Sequence, residues 1–348
     1  MRVRSWSARA FRAEPHLLVE RPAALGHPAS APARGRSFGG GPALRGRDLR
    51  SYHEIVTRPA SFSPGSLTEH ALLDSGDGRK LERFGSVVLD RPDPQALWAR
   101  REPSLWDGAD LRFERESDRG GRWVPRERPP EEWEMAVGAA RLLIRPTPFK
   151  HVGLFPEQAS NWSLLTERAE PGATLLNLFG YTGAASVLAV AAGWSVTHVD
   201  ASKQSLDWAT ENLRRSGLGT DGMRVLCEDA LRFAQREVRR GRSYDAVFLD
   251  PPHYGRGPRG EVWRLEEGLP ALVDAAVQLL RPGGVLVLST YAVGHSPLTL
   301  LGLLEAHAVT GDRVEAGELA LPEQELDGHR ARLLPAGFCA RLHRAEGA

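Results

Sequence analysis

The chain has only two cysteines, Cys227 and Cys339, in 348 residues. That is too few for a disulfide framework or a cysteine-rich zinc site, and a reducing compartment is the simplest setting. The histidines show no metal-ligand spacing, so no metal site is expected. No stretch approaches twenty apolar residues, which excludes a membrane-spanning helix. The N-terminus also lacks the apolar core of a secretory signal. Lysine is scarce, at Lys80, Lys150 and Lys203 alone, an arginine bias that by itself says little about function. With 41% hydrophobic and 26% charged residues, a collagen-like fibre, a coiled coil and a wholly disordered chain are all excluded. The length suggests two domains and allows a large core.

The net charge of +1 conceals an asymmetry. Residues 1–60 hold eleven Lys and Arg against four Asp and Glu, while the remainder holds 34 against 40. Residues 1–55 read as a basic, low-complexity arm without hydrophobic period. A disordered tail, an organellar transit peptide and translated sequence upstream of the start all remain open, and Glu14 and Glu20 count against the transit peptide. The rest is no basic globule, so nucleic-acid binding must come from local patches or from this arm.

Residues 56–147 carry short β-like runs with turn punctuation and suggest a small antiparallel β domain. Ala71–Leu73 and Gly85–Leu89 flank the turn signal Asp74–Gly78. Leu111–Phe113 and Arg122–Val124 flank Asp118-Arg119-Gly120-Gly121, and Glu134–Val137 with Arg141–Ile144 form a third pair. Residues 148–348 form the second domain, and after Pro171 the period changes. Strands are predicted at Thr174–Phe179, Ser195–Asp200, Met223–Asp229, Tyr244–Asp250 and Val285–Thr290. Helices are predicted at Gly183–Ala192, Ser202–Ser216, Ala230–Arg240 and Arg264–Leu280, with Ser202 as an N-cap and Gly217 as a stop. Alternating β and α with nearly all-apolar strands reads as an α/β, doubly wound, mostly parallel sheet. Such sheets bind ligands at the carboxyl ends of their strands.

Those ends carry chemistry. Gly180 and Gly183 bracket a tight turn after the first strand, but Thr182 stands where a dinucleotide fingerprint needs its middle glycine. Asp200 ends the second strand twenty residues after Gly180, placed to accept from ribose hydroxyls; a capping Asp is the plain alternative. Asp229 ends the third strand, where it can face an adenine amine with Ala230 against the ring. Asp250-Pro251-Pro252 follows the fourth, with His253 and Tyr254 behind. Two prolines stiffen the backbone and remove N–H donors, leaving an acceptor-rich notch with aromatics alongside. Asp-Pro is also a common turn dipeptide. Pro282-Gly283-Gly284 precedes the fifth strand.

Taken together, Gly180-x-x-Gly183, Asp200, Asp229, Asp250-Pro-Pro and Pro282-Gly-Gly resemble a class I S-adenosylmethionine (SAM)-dependent methyltransferase. Asn177-Leu-Phe-Gly-Tyr-Thr-Gly183 is similar to the first motif of the bacterial large-subunit (23S) rRNA methyltransferases. Lys150-His-Val-Gly-Leu-Phe-Pro-Glu-Gln158 resembles their pre-catalytic Lys-x-Gly-x-x-x-Asp-Gln-Arg element, and these enzymes carry a small β domain ahead of the catalytic one. The resemblance, over about residues 70–345, implies a Rossmann-like sheet of seven strands and SAM as cofactor. It implies a cofactor site of Phe155, Gln158, Phe179, Gly180, Tyr181, Thr182, Gly183, Asp200, Ala201, Asp229, Ala230 and Asp250. The family's Arg after Gln is Ala159 here. Where 5-methylcytosine members carry a cysteine, this chain has Ser289-Thr290-Tyr291-Ala292. Covalent attack on a pyrimidine needs a thiolate, so amine methylation fits better than carbon methylation.

The expected chemistry is therefore transfer to an exocyclic or ring nitrogen of a base in large-subunit rRNA, in the cytoplasm. Asp250 and the Pro251 carbonyl would accept from the amine while His253 or Tyr254 stacks on the base. Lys150, Arg256 and Arg259 are candidate RNA contacts, the last two in a glycine-rich loop from Gly255 to Arg264. Three readings compete: a SAM-dependent enzyme acting on a small molecule or protein side chain, a nucleotide-binding oxidoreductase, and an inactive SAM-fold binding module. The surplus of acids after residue 60 favours the first of these.

Overall fold

A computed structural model describes residues 61–65, 67–117, 120–291, 294–325 and 331–347. The basic arm, Asp118 and Arg119 of the second turn signal, and Ala292 lie outside the described residues. The chain begins with β1 (Ser61–Phe62), then β2 (His70–Gly76), β3 (Arg79–Phe84), β4 (Val87–Pro92), β5 (Leu111–Ser117) and β6 (Gly120–Pro125). A hairpin follows, β7 (Trp133–Val137) and β8 (Ala140–Ile144). Next come α1 (Ala159–Glu167), β9 (Thr174–Leu178), α2 (Ala184–Ala191), β10 (Ser195–Asp200), α3 (Lys203–Arg215), β11 (Met223–Cys227) and α4 (Ala230–Arg239). The chain continues through β12 (Tyr244–Leu249), β13 (Tyr254–Arg256), β14 (Val262–Arg264), α5 (Leu265–Gln278) and β15 (Leu280–Thr290). It closes with α6 (Pro297–Glu305), β16 (Arg313–Pro322) and β17 (Leu333–His343).

The principal sheet has eight strands in the order β1-β16-β17-β15-β12-β9-β10-β11, one more than expected. The addition is β1, which pairs parallel to the edge strand β16. Strands β9, β10, β11, β12 and β15 run parallel, and β17 inserts antiparallel between β15 and β16. Period-2 alternation buries both faces. On one face lie Leu175, Ala246, Phe248, Val285 and Val287, in a cluster with Val187 and Leu213 of α2 and α3. On the other lie Leu176, Leu178, Val247, Leu249, Leu286 and Leu288, against Phe233, Leu272 and Leu300 of α4, α5 and α6. On the first face the alternation reaches Asn177 in β9 and Ser289 in β15. There polar side chains replace apolar ones near the carboxyl edge.

The five-stranded sheet β2-β3-β4-β5-β6 is antiparallel except for β4–β5, which pair parallel through Leu89–Leu111. The expected partner of the first hairpin strand is displaced. The strand that returns after Asp77-Gly78 is β3, a charged run, and Val87–Leu89 belongs to the next strand out. The charge that β3 buries is paired, which offsets its desolvation: Glu82 is fully buried and takes Arg91 through two hydrogen bonds and His70 at 3.3 Å. The third strand pair forms its own sheet against α3, where Asn212 accepts from the Leu143 N–H at 2.7 Å. Pro282-Gly-Gly is no turn before a strand but a bulge inside β15. A Cβ at Gly284 would sit 2.8 Å from the Asp245 carbonyl, so the close approach requires glycine.

Candidate active site

Between β9 and α2 the backbone is left-handed at Phe179 (φ 58°), Tyr181 (φ 51°) and Gly183 (φ 81°). Such conformations at bulky residues are costly and persist only where surroundings impose them. Here they do. The Gly180 N–H donates to the Val199 carbonyl at 3.1 Å, and the Tyr181 N–H donates to the Asp200 carboxylate at 2.9 Å. The Thr182 hydroxyl donates to the Gly153 carbonyl at 2.5 Å. Beneath the loop lies the fully buried ring of His198; a Cβ on Gly180 would fall 2.3 Å from its Cε1. Ser186 accepts from Asn177 Nδ2 at 2.8 Å and lies 2.8 Å from His198 Nδ1. Its hydroxyl shares a hydrogen bond with Nδ1, and burial lowers the imidazole pKa to about 4, so the ring is neutral. The second Asp200 oxygen accepts from the Ser202 N–H at 2.8 Å, and burial raises its pKa against the Ser202, Tyr181 and Ala201 backbone donors.

The loop forms one wall of a cleft of about 510 Å³, counting the solvent at its mouth. Phe155, Gln158, Phe179, Gly180, Tyr181 and Thr182 line it, as do Trp162, Asn177, Phe248, Asp250 and Ser289. Asp250 stands at its polar end. Ser289 Oγ donates to Asp250 Oδ1 at 2.8 Å, and Gln158 Nε2 donates to Asp250 Oδ2 at 3.3 Å and to Ser289 Oγ at 3.0 Å. Asn161 fixes the Gln158 amide by donating to its Oε1 at 2.7 Å. Surrounding protein raises the Asp250 pKa and the Ser289 hydroxyl opposes the shift. Ala159, in place of the expected Arg, opens α1 and is buried.

Several expected site residues lie outside the cleft lining. Asp229 N-caps α4, accepting from the Arg232 N–H at 2.9 Å, and Ala230 packs into the core. Neither they, Asp200 nor Ala201 lines the cleft. His253 is exposed and pairs with Glu266 at 3.0 Å, and Tyr254 is half-buried in β13; the cleft's rings are others. Gly255–Arg264 is no open loop: β13 and β14 pair antiparallel across it. Its Trp263 is a core residue, donating to the Pro252 carbonyl at 2.7 Å and packing 5.1 Å from the Phe179 ring. Arg256 projects from β13 exposed, and Arg259 pairs with Glu261 at 3.2 Å. Lys150 Nζ turns to the Pro92 carbonyl at 3.2 Å, and burial lowers its pKa to about 8.

Ser289, Asn177 and Trp162 line the cleft without having been expected there. Strand alternation could have put Asn177 and Ser289 on one face; Trp162, on α1, left no comparable signal. Cys339 stands opposite Ser289 in the ladder but is fully buried, outside the cleft lining, its thiol pushed up to about 12 by burial. Such a thiol supplies no thiolate nucleophile. Among the described residues no group of three His, Cys, Asp or Glu could hold a metal, and no helix is long and apolar enough to cross a membrane.

The family model of S-adenosylmethionine-dependent methyltransferases matches residues 107–316. The chain belongs to that family. A crystal structure of the SAM-dependent methyltransferase from Agrobacterium tumefaciens is similar over 82% of this chain and 93% of that one, at 41% identity and a TM-score of 0.78. A methyltransferase crystallised with SAH, SMU.776, shares the fold at 18% identity and a TM-score of 0.61, over 80% of this chain and 76% of that one. Ribosomal RNA large subunit methyltransferase K/L of Syntrophotalea carbinolica is 34% identical over 181 residues, 51% of this chain and 25% of its own length. Its counterpart from Stutzerimonas stutzeri is 34% identical over 219 residues, 62% of this chain and 28% of its own length. The chain thus spans about a quarter of the length of these curated relatives. The family's cofactor is SAM, and the cleft suits a cationic ligand. Aromatic faces and one carboxylate line it, with no lysine or arginine among the lining residues.

Proposed function

We propose that the chain transfers a methyl group from SAM to an exocyclic or ring nitrogen of a base in large-subunit rRNA, in the cytoplasm. The observation that carries this reading is Asp250, an acceptor held at the polar end of the cleft by Ser289 and Gln158 and followed by two prolines. Phe155, Gln158 and the Phe179–Gly183 turn would hold the cofactor, with Asp200 bracing that turn through the Tyr181 N–H. SAM supplies an electrophilic methyl group on a sulfonium.

The protein's own tasks are then alignment, exclusion of water and presentation of a lone pair. A conjugated amine keeps its lone pair in the ring. Acceptance of its N–H bonds by the Asp250 carboxylate and the Pro251 carbonyl favours the tetrahedral nitrogen of the transition state, which is differential stabilisation. Ionised Asp250 can also take the proton the nitrogen releases. The names of the curated relatives and the arginines of the β13–β14 hairpin support an RNA acceptor.

The test is transfer of tritium from methyl-labelled SAM into unmodified large-subunit rRNA. Asp250→Ala should lower transfer by roughly 100-fold or more, the scale of removing one transition-state contact. SAM affinity should stay within a few-fold. An equal loss of SAM binding would make Asp250 a cofactor or structural residue.

A further inference from the structure

Helix α4 is two-faced. Ala230, Phe233, Ala234 and Glu237 are buried, while Arg232, Arg236 and Arg239 lie at i, i+4 and i+7 on the outer side. Together with Gln235, Glu228 and Arg259 from the hairpin turn, these arginines line a surface groove of about 510 Å³, counting open solvent. Four arginines and Glu228 line it, and Glu261 beside it pairs with two of the arginines, which leaves a local surplus of two positive charges, although the chain beyond residue 60 is acidic overall. The glutamates organise the guanidinium groups. Glu261 pairs with Arg232 at 3.0 Å and Arg259 at 3.2 Å, and Glu228 takes two hydrogen bonds from Arg236. A guanidinium has five N–H donors and a carboxylate engages at most two of them side by side, so donors remain for a further anion. The Arg239 side chain has no hydrogen-bond or ionic partner among the described residues. Trp263 links the groove to the cleft, since it anchors the same hairpin against Pro252 and Phe179.

We propose that the arginine face of α4 and the hairpin turn bind the sugar–phosphate backbone of the RNA substrate, positioning the strand whose base enters the cleft. The inference rests on the RNA reading of that cleft and adds a second contact surface to it. The row from Arg232 to Arg239 covers about 10 Å of helix axis, enough for two or three successive phosphates at the axial spacing of a nucleic-acid strand. Its contacts are to backbone rather than bases, so they add affinity and register without sequence preference.

The test measures binding of unmodified large-subunit rRNA to the full chain from about 50 to 200 mM salt. Each lost phosphate contact lowers the log–log salt slope by roughly 0.7 to 0.9. Arg236→Gln with Arg239→Gln should therefore lower it by about 1.4 to 1.8, with SAM affinity unchanged. Arg239→Gln alone breaks no described contact and should lower it by one such step. A control pair, Arg214→Gln with Arg313→Gln, removes equal charge from α3 and β16 and should leave the slope in place. Equal loss in groove and control variants overturns the groove, because net charge alone would explain it. An unchanged slope in the groove variants, with methyl transfer to RNA intact, overturns the groove and leaves the RNA reading standing. A wild-type chain that neither binds nor methylates RNA overturns both.

Discussion

Substitution of Gly180 by alanine tests how the cofactor turn is built. The added Cβ would lie 2.3 Å from His198 Cε1 and 2.4 Å from Nδ1. Packed carbons sit about 3.5 Å or more apart, so roughly 1 Å of movement is required. The imidazole cannot supply it cheaply, being fully buried and hydrogen-bonded to Ser186 at 2.8 Å. Overpacking of this kind costs about 1–3 kcal/mol. If the turn yields rather than the core, SAM affinity should fall by about 5- to 150-fold. The decisive assay is a double-mutant cycle by calorimetric titration with SAM, supported by thermal melts. His198→Ala removes the ring the new methyl group strikes, so the paired variant should recover about 1–3 kcal/mol relative to the sum of the two single changes. Additivity within about 0.5 kcal/mol, the behaviour of independent sites, would refute the steric account.

Two further outcomes follow from the polar groups around the cleft. Ser289→Ala removes the hydroxyl that donates to Asp250. The Asp250 pKa, already raised by the surrounding protein, should rise further. The acid limb of the kcat/KM profile should move to higher pH, with kcat down about tenfold for an acceptor less well held; an unmoved limb would remove Asp250 from the proton inventory. Glu157, beside Gln158, is buried with its pKa raised to about 7 from an ordinary 4.5. The unfolded chain releases that proton first as pH rises, so this carboxyl stabilises least at high pH. Relative to Glu157→Gln, the wild-type chain should lose about 2–3 kcal/mol between about pH 5 and pH 8 in urea unfolding, whereas parallel stability curves would contradict the buried assignment.

The catalytic sheet was legible because both of its faces are apolar. β10 spans the predicted Ser195–Asp200, and α3 is capped by Ser202 as read. β3 was not legible: its burial is secured by the Glu82–Arg91 pair, and a charged pair leaves no hydrophobic period. The β13–β14 hairpin escaped for a related reason, since its one buried anchor, Trp263, stands among charged and glycine residues. Asp200 and Asp250 were visible as strand-end acids, but the network around Asp250 was not. Ser289 and Gln158 come from segments 131 residues apart, and only the sheet order brings them together. The His198 support under Gly180 likewise depends on the pairing of β9 with β10, where His198 stands opposite Asn177.

The most direct measurement is the chemical identity of the product. Large-subunit rRNA from a strain lacking this protein, incubated with the pure chain and methyl-labelled SAM, would be digested to nucleosides and resolved by mass spectrometry. The account expects the label in one N-methylated nucleoside that is missing from the untreated RNA. Label in a 5-methylcytidine or a 2′-O-methyl ribose, or none above background, would contradict it.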